Sequence, residues 1–224
     1  MNVNVHEFNL TSNELWKGCM LASIAHAIMV AHSPMFAHEH SWDGNNYNIQ
    51  DSQGARGTVT FHSSYCVAAL YDAASTRNNH LKPALEYFEG ASQSVKKIAK
   101  TETLQYLLEE EDGKVVPVIT TSFWGDSSTI YSLDSFNDMQ EHSGFILENQ
   151  FINIKLAKEA WIEYHEMDNN QVLLLESIYQ RKVTNPNQDI ILSQAEIEMI
   201  GTKDLEGLEE SRTSFSEIGI KLTL

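Results

Sequence analysis

Proline and cysteine are scarce in this chain: four prolines and two cysteines in 224 residues. Cys19 and Cys66 alone make no disulfide framework, so the fold must rest on a packed core. No Pro-, Gly- or Ser-rich tract marks a linker, and no period of 20–50 residues repeats, which excludes solenoids and propellers. Long apolar runs are missing too. The longest lies near residues 19–31, and Ser23 and His26 interrupt it, too short and too polar for a bilayer. The opening MNVNVHEFNLTSNELW lacks the basic and apolar regions of an export signal, so a reducing cytoplasm is the expected compartment. Cations are few: 15 Lys and Arg against 31 Asp and Glu, a net charge of −16. Nucleic acid and anionic membranes need cationic patches, and neither is an expected partner.

The length suits one large domain, and 42% apolar residues place the chain among globular proteins. The acidity is uneven. Residues 1–100 hold 8 acids and 7 bases, a net of −1, whereas residues 101–224 hold 23 acids and 8 bases, a net of −15. A single α+β domain over 1–224 is expected, with a helical subdomain from about 134–224 as the alternative division. Its antiparallel sheet should come mainly from the first third, covered by helices, with a largely helical last third.

The elements follow from periodicity and punctuation. Residues 12–32 read as a central helix that is apolar nearly all round, capped by Ser12 or Asn13 and ended before Pro34. Tyr47–Gln50, Gly57–Phe61 and Tyr65–Tyr71 read as strands of an antiparallel meander, with turns at 43–46 and 53–57. Pro83 opens a helix, and a second helix covers about 94–110. Val115–Thr121 is a strand in which Pro117 requires an edge or a bulge. Phe123-Trp124-Gly125-Asp126 reads as a loop and Thr129–Leu133 as a short strand. Ala157, Ala160, Trp161 and Tyr164 make an amphipathic stripe. Another helix runs over about 172–182, and Ser193-x-x-Glu196 is a capping box. The closing IGIKLTL alternates like a strand.

The segment from His38 to Phe61 is the richest in chemistry. His38-x-His40-x-x-Asp43 offers two imidazoles at strand spacing, both on one face, and a carboxylate. The spacing is similar to the HxHxDH signature of metallo-β-lactamase-type hydrolases, but the Asp stands one place late and no His follows it. A structural pair of histidines at a hairpin mouth is the expectation, and no cofactor is expected. Gly18-Cys19 near the start of a helix resembles the nucleophile position of papain-like folds, with His38 and Asp51 as orienting partners and His62 or His142 as other bases. A buried, inert Cys19 is the expectation, because His38 starts near the far end of the same helix. Gly54-x-x-Gly57 with Arg56 has the makings of an anion cradle, or of a plain hairpin turn whose Arg pairs with Asp51 or a nearby acid.

Surface candidates remain. Trp42, Asp43 and Tyr47, with Trp124 and Asp126, have the character of two aromatic loops on one rim. Asp51 and Arg56 lie between them in the chain. Glu109, Glu110, Glu111 and Asp112, and Glu206, Glu209 and Glu210, form two acidic groups. A compact acidic chain without a convincing catalytic set resembles bacterial immunity proteins in general character. That resemblance implies a non-enzymatic binder that neutralises a basic toxin, steered by charge. The alternative is a cytoplasmic hydrolase using Cys19 with a histidine, or a metal at His38 and His40.

Overall fold

The computed structural model describes residues 4–63, 65–111 and 113–223, and at residue 111 the backbone alone. Asp112 therefore lies outside the described residues. The chain is α+β. It begins with β1 (His6–Phe8), α1 (Ser12–Val30), β2 (His40–Asp43), β3 (Asn46–Gln50), β4 (Ala55–Phe61) and β5 (Cys66–Asp72). Next come α2 (Gln93–Thr101), β6 (Leu108–Glu111), β7 (Lys114–Pro117), β8 (Thr121–Gly125), β9 (Ile130–Ser132), α3 (Phe136–His142) and α4 (Glu148–Phe151). The last part holds α5 (Ile154–Tyr164), α6 (Asn169–Thr184), β10 (Ile190–Leu192), α7 (Gln194–Glu198), α8 (Leu205–Glu217) and β11 (Ile220–Leu222). Among the described residues no helix is long and apolar enough to cross a membrane. Two compact units divide the chain: Met1–Leu15 with Asn45–Glu148, and Trp16–Gly44 with Asn149–Leu224.

The first unit is built on antiparallel pairing in the order β1-β9-β8-β5-β4-β3. The meander expected before Phe61 is present, and no helix interrupts Tyr47–Phe61. The β3–β4 register sets Tyr47 opposite Val59 and Ile49 opposite Gly57, and the hairpin turns at Gly54, whose φ of +97° only glycine adopts cheaply. Val67, Ala69 and Trp124 on one sheet face pack with Phe88, Val95, Ile98, Leu104 and Leu107. The helix expected over 94–110 stops at Thr101. Residues Thr103–Tyr106 tighten into a 3-10 turn, which stacks positions three apart and so buries Leu104 and Leu107 together. β6 then pairs with β7, where the helix was expected to finish, and Pro117 sits at the end of that two-stranded sheet. The helix expected from Pro83 is only a 3-10 turn, Ala84–Phe88. The loop expected at Phe123–Gly125 is instead β8, buried on both faces, with Phe123 opposite Ala68 and Trp124 opposite Val67. A strand covered on both sides has no polar alternation to reveal it.

α1 starts in the first unit, and its cap is Thr11 rather than Ser12 or Asn13. Thr11 Oγ1 accepts from the Glu14 N–H at 3.2 Å, while Glu14 Oε2 accepts from the Thr11 N–H at 2.8 Å, a reciprocal capping box. Ser12 instead donates to the Asp126 carbonyl at 2.6 Å.

The second unit is helical around the rest of α1. Residues from Met20 to Ala31 join Ala157, Trp161, Leu174, Ile178, Ile197, Phe215 and Ile220 in one core. Its α5 runs Ile154–Tyr164 as the stripe requires. α6 begins earlier than expected because Asp168 caps it with a full capping box, and Ser193 and Glu196 form the expected one. The closing strand β11 pairs in parallel with β10. α8 approaches the end of α1 so closely that a Cβ on Gly207 would lie 2.1 Å from the Ala31 carbonyl oxygen, and Ser211 Oγ donates to the Ala27 carbonyl at 2.6 Å. This seam needs its glycine. Gly207→Ala should therefore lower stability by about 1–3 kcal/mol, through forced overpacking against backbone that cannot yield. Urea unfolding of the variant beside the parent protein checks it.

Candidate functional site

The residues singled out in the sequence divide sharply by burial. Tyr47 and Trp124 are core side chains, at 0% and 6% exposure, so they cannot serve as surface anchors. Trp42 is half-buried, and its indole N–H donates to Ser23 Oγ at 2.8 Å while its backbone N–H donates to Glu217. Asp126 holds a turn, accepting from the Ser128 hydroxyl, the Ser128 N–H and the Thr129 N–H, and the Ser128 hydroxyl above all keeps its carboxyl below the usual range. Asp51 likewise accepts the N–H groups of Gln53 and Ala55 across the hairpin turn. Of the acids open to Arg56, it pairs with Glu109 and not with Asp51. It stacks over the Tyr71 ring, 4.6 Å from the centroid, and forms an ion pair with Glu109.

The alternative chemistries fare differently. Cys19 is wholly buried inside α1 and His38 is exposed, so the nucleophile of the thiol-hydrolase alternative has no access to solvent. Cys66 is buried as well, and burial pushes its thiol up to about 12, which leaves it protonated and unreactive. The chain leaves the 3-10 turn Pro34–Phe36 and only becomes strand at His40, so His38 and His40 do not share a strand face: His40 is 7% exposed. Among the described residues no three His, Cys, Asp or Glu side chains are grouped to hold a metal. Asp43 is exposed at the end of β2.

A different histidine set comes together in the second unit. His26 of α1, His40 of β2 and His165 at the end of α5 form a ring cluster with Trp161 and Tyr164. His26 and His40 lie 4.7 Å apart between centroids, His40 meets Trp161 edge-on at 5.7 Å, and His165 stacks on Trp161 at 5.7 Å and 19°. Helical spacing explains part of this: Trp161, Tyr164 and His165 stand at i, i+3 and i+4 on α5. Burial dominates the electrostatics. It lowers His26 and His165 to about 4 and His40 well below its ordinary value, with repulsion from neighbouring imidazoles adding to the effect. All three are neutral at pH 7. Among the described residues, the buried Nε2 of His165 and the buried indole N–H of Trp161 have no hydrogen-bond partner.

Beside the cluster is a cavity of about 250 Å³, lined by His26, Phe36, Glu39, Tyr164, His165 and Glu166 among others. Glu166 follows α5 with a φ of +50°, a left-handed position at a helix end where glycine is the usual choice. The sequence held two signals of this site: a histidine set inside an apolar helix at position 26, and a Tyr-His-Glu run ending an amphipathic stripe. Neither carries a motif, so the pairing of α1 with α5 had to be seen in the fold.

The first unit has its own polar group. Arg77 makes a bidentate pair with Asp134 at 2.7 and 2.8 Å, Thr121 donates to the same carboxylate, and Ser75 Oγ lies 2.9 Å from His142 Nδ1. Ser75 is 7% exposed and also accepts from the Arg77 N–H, so its hydroxyl caps the turn Thr76–His80.

Neutral burial of the histidines sets a pH dependence. Their folded pKa values lie below the ordinary 6.5, so between those values the unfolded chain binds more protons. The stability they contribute is complete above pH 6.5 and is lost as pH falls towards about 4. The loss is on the order of 3 kcal/mol per histidine at full titration. Urea midpoints measured from pH 7 to 4 should show that decline, and His165→Phe should make it shallower.

No protein-family model matches this chain, nor does any curated protein or solved structure.

Proposed function

We propose that this chain is a non-enzymatic binding protein, and that the β6–β7 hairpin of its first unit is the contact surface for a basic protein. One observation carries the reading: this hairpin combines acidic and apolar side chains on an exposed surface. In its register Leu108 stands opposite Pro117 and Glu110 opposite Val115, which puts those four on one face. Leu108 is 40% exposed and Val115 68%, with Glu110 exposed between them. An apolar groove of about 510 Å³ adjoins it, walled by Leu81, Pro83, Leu85, Val116 and Pro117. Exposed apolar groups gathered in one place and edged by charge are the usual composition of a protein contact surface.

The partner's sign follows from the whole chain. By sequence the first unit holds 16 acids and 7 bases, a net of −9, and the second 15 and 8, a net of −7. The imbalance between sequence halves is thus shared between the folded units, and the first unit exceeds the net charge of about 2–8 that keeps a small domain soluble, while the second lies within it. A basic partner gains both long-range attraction and local neutralisation, as a nuclease-type toxin bound by an immunity protein would. The acidic face of α8 is the less favoured contact: Glu206 and Glu209 are exposed, but Glu210 is half-buried.

Partners captured from the native host at low salt should be basic proteins. Their association should slow steeply as salt rises, because the field reaches only about 8 Å at physiological ionic strength. Glu109→Lys with Glu110→Lys should cut the on-rate more than it raises the off-rate, whereas Leu108→Ser with Val115→Ser should act mainly on the off-rate. An on-rate indifferent to salt and to both pairs of changes would rule the hairpin out.

A further inference from the structure

We propose that the outer edge of β6 receives an extended segment of the basic partner as an added strand, which rests on the reading of the hairpin as the contact surface and says how the partner's backbone is held there.

Strand register decides which backbone groups are left over. Among the described residues β6 pairs with β7 alone. At the base of the hairpin the Val118 N–H donates to the Leu107 carbonyl at 2.9 Å. Antiparallel ladders alternate bonded and non-bonded pairs, so the bonded pairs that follow are Glu109 with Val116 and Glu111 with Lys114. Leu108 and Glu110 fall between them and turn their N–H and C=O groups away from β7, towards the outer edge. No backbone group outside the hairpin bonds to either residue among the described residues.

The outer edge of β7 is the poorer template. Its outward-facing positions are Val115 and Pro117, and Pro117 has no N–H to give. β6 offers a donor and an acceptor at both of its positions, at the two-residue spacing that an added strand uses.

Side chains select the occupant. Leu108, 40% exposed, and Glu110, also exposed, lie on one face of the edge strand, while Arg56 engages Glu109 on the other. An incoming strand therefore sets an apolar side chain opposite Leu108 and a base opposite Glu110, two positions apart. A second copy of this chain is the wrong occupant. Two β6 edges brought together would set Glu109 and Glu110 against the same acids, and like charges across a strand pair repel. Charge on an edge bars self-pairing without barring a strand that carries lysine or arginine. An edge guarded against pairing alone has no need of an exposed leucine beside the acid.

The probe is a short peptide with valine and lysine alternating at its odd positions and threonine at its even ones, titrated into the nitrogen-labelled full chain. Saturable shifts of the Leu108 and Glu110 amides are expected, with slower hydrogen exchange at both. A strand bonds to its neighbour through every second residue. Methylating one alternate set of peptide amides should therefore weaken binding about tenfold, and methylating the other set should leave it unchanged. A peptide with glutamate in place of lysine should not bind. In the chain, Glu110→Pro removes an outward N–H and spares the bonded pairs, so it should weaken the peptide about fivefold more than Glu110→Gln, which removes the charge alone. Equal loss with either methylated set would overturn strand pairing and leave the hairpin as a side-chain surface only. Absence of binding, or shifts that spare Leu108 and Glu110, would also overturn it. So would dimerisation of the chain that Glu110→Pro abolishes, because the edge would then belong to a second copy. Failure of the hairpin reading itself would show separately, as a captured partner indifferent to Leu108→Ser with Val115→Ser.

Discussion

Burial of a helix that carries a histidine on its inner side is the constraint on which the second unit depends. α1 is apolar nearly all round, and its residues from Met20 to Ala31 are packed among α5, α6, α7, α8, β10 and β11. His26 sits in that stretch at 3% exposure, so it can be accommodated only as a neutral ring. His40 lies 4.7 Å from it between ring centroids and His165 is near enough to repel both, so cations at these positions would oppose one another. Aromatic stacking on Trp161 fixes the rings in place.

The first unit is governed by pairing rather than by one helix. β5 lies between β4 and β8, and Ala68, Ala69 and Leu70 are wholly buried there. Arg77 and Asp134 tie the start of β8 to the turn after β5 through Thr120 and Thr121, with every contact within hydrogen-bond distance. Outside that sheet, β6 and β7 pair only with each other among the described residues. A hairpin that is not needed to complete the sheet is free to keep apolar side chains in solvent, and Leu108 and Val115 do so.

Much of this was legible in the residues. The meander, the central helix, the stripe of α5 and the capping box at Ser193 all follow from periodicity and turn chemistry, and all are present. Failures came where local pattern and tertiary burial disagree. Leu104, Leu107 and Leu108 have helical spacing, yet two of them are buried by a 3-10 turn and the third is an exposed strand residue. Phe123 and Trp124 stand beside Gly125 and Asp126 and so look like a loop, but the sheet needs them inside. The site was less legible than the fold. His38, the residue most suggestive in sequence, is exposed, while His26 and His165, which carry no motif, meet across 139 positions of chain in one cluster. Spacing reports which residues share a face of one element; it does not report which elements meet.

The neutrality of the buried histidines is the claim on which the rest bears most heavily, and imidazole nitrogen chemical shifts measure it directly. Spectra of the labelled protein from pH 7.5 to 4 should show His26 and His165 holding neutral shifts until close to pH 4, with His40 also neutral at pH 6.5. Titration of either His26 or His165 at its ordinary value of 6.5 would contradict the account, because the cluster would then be solvated and the cavity beside it would carry positive charge at mildly acidic pH.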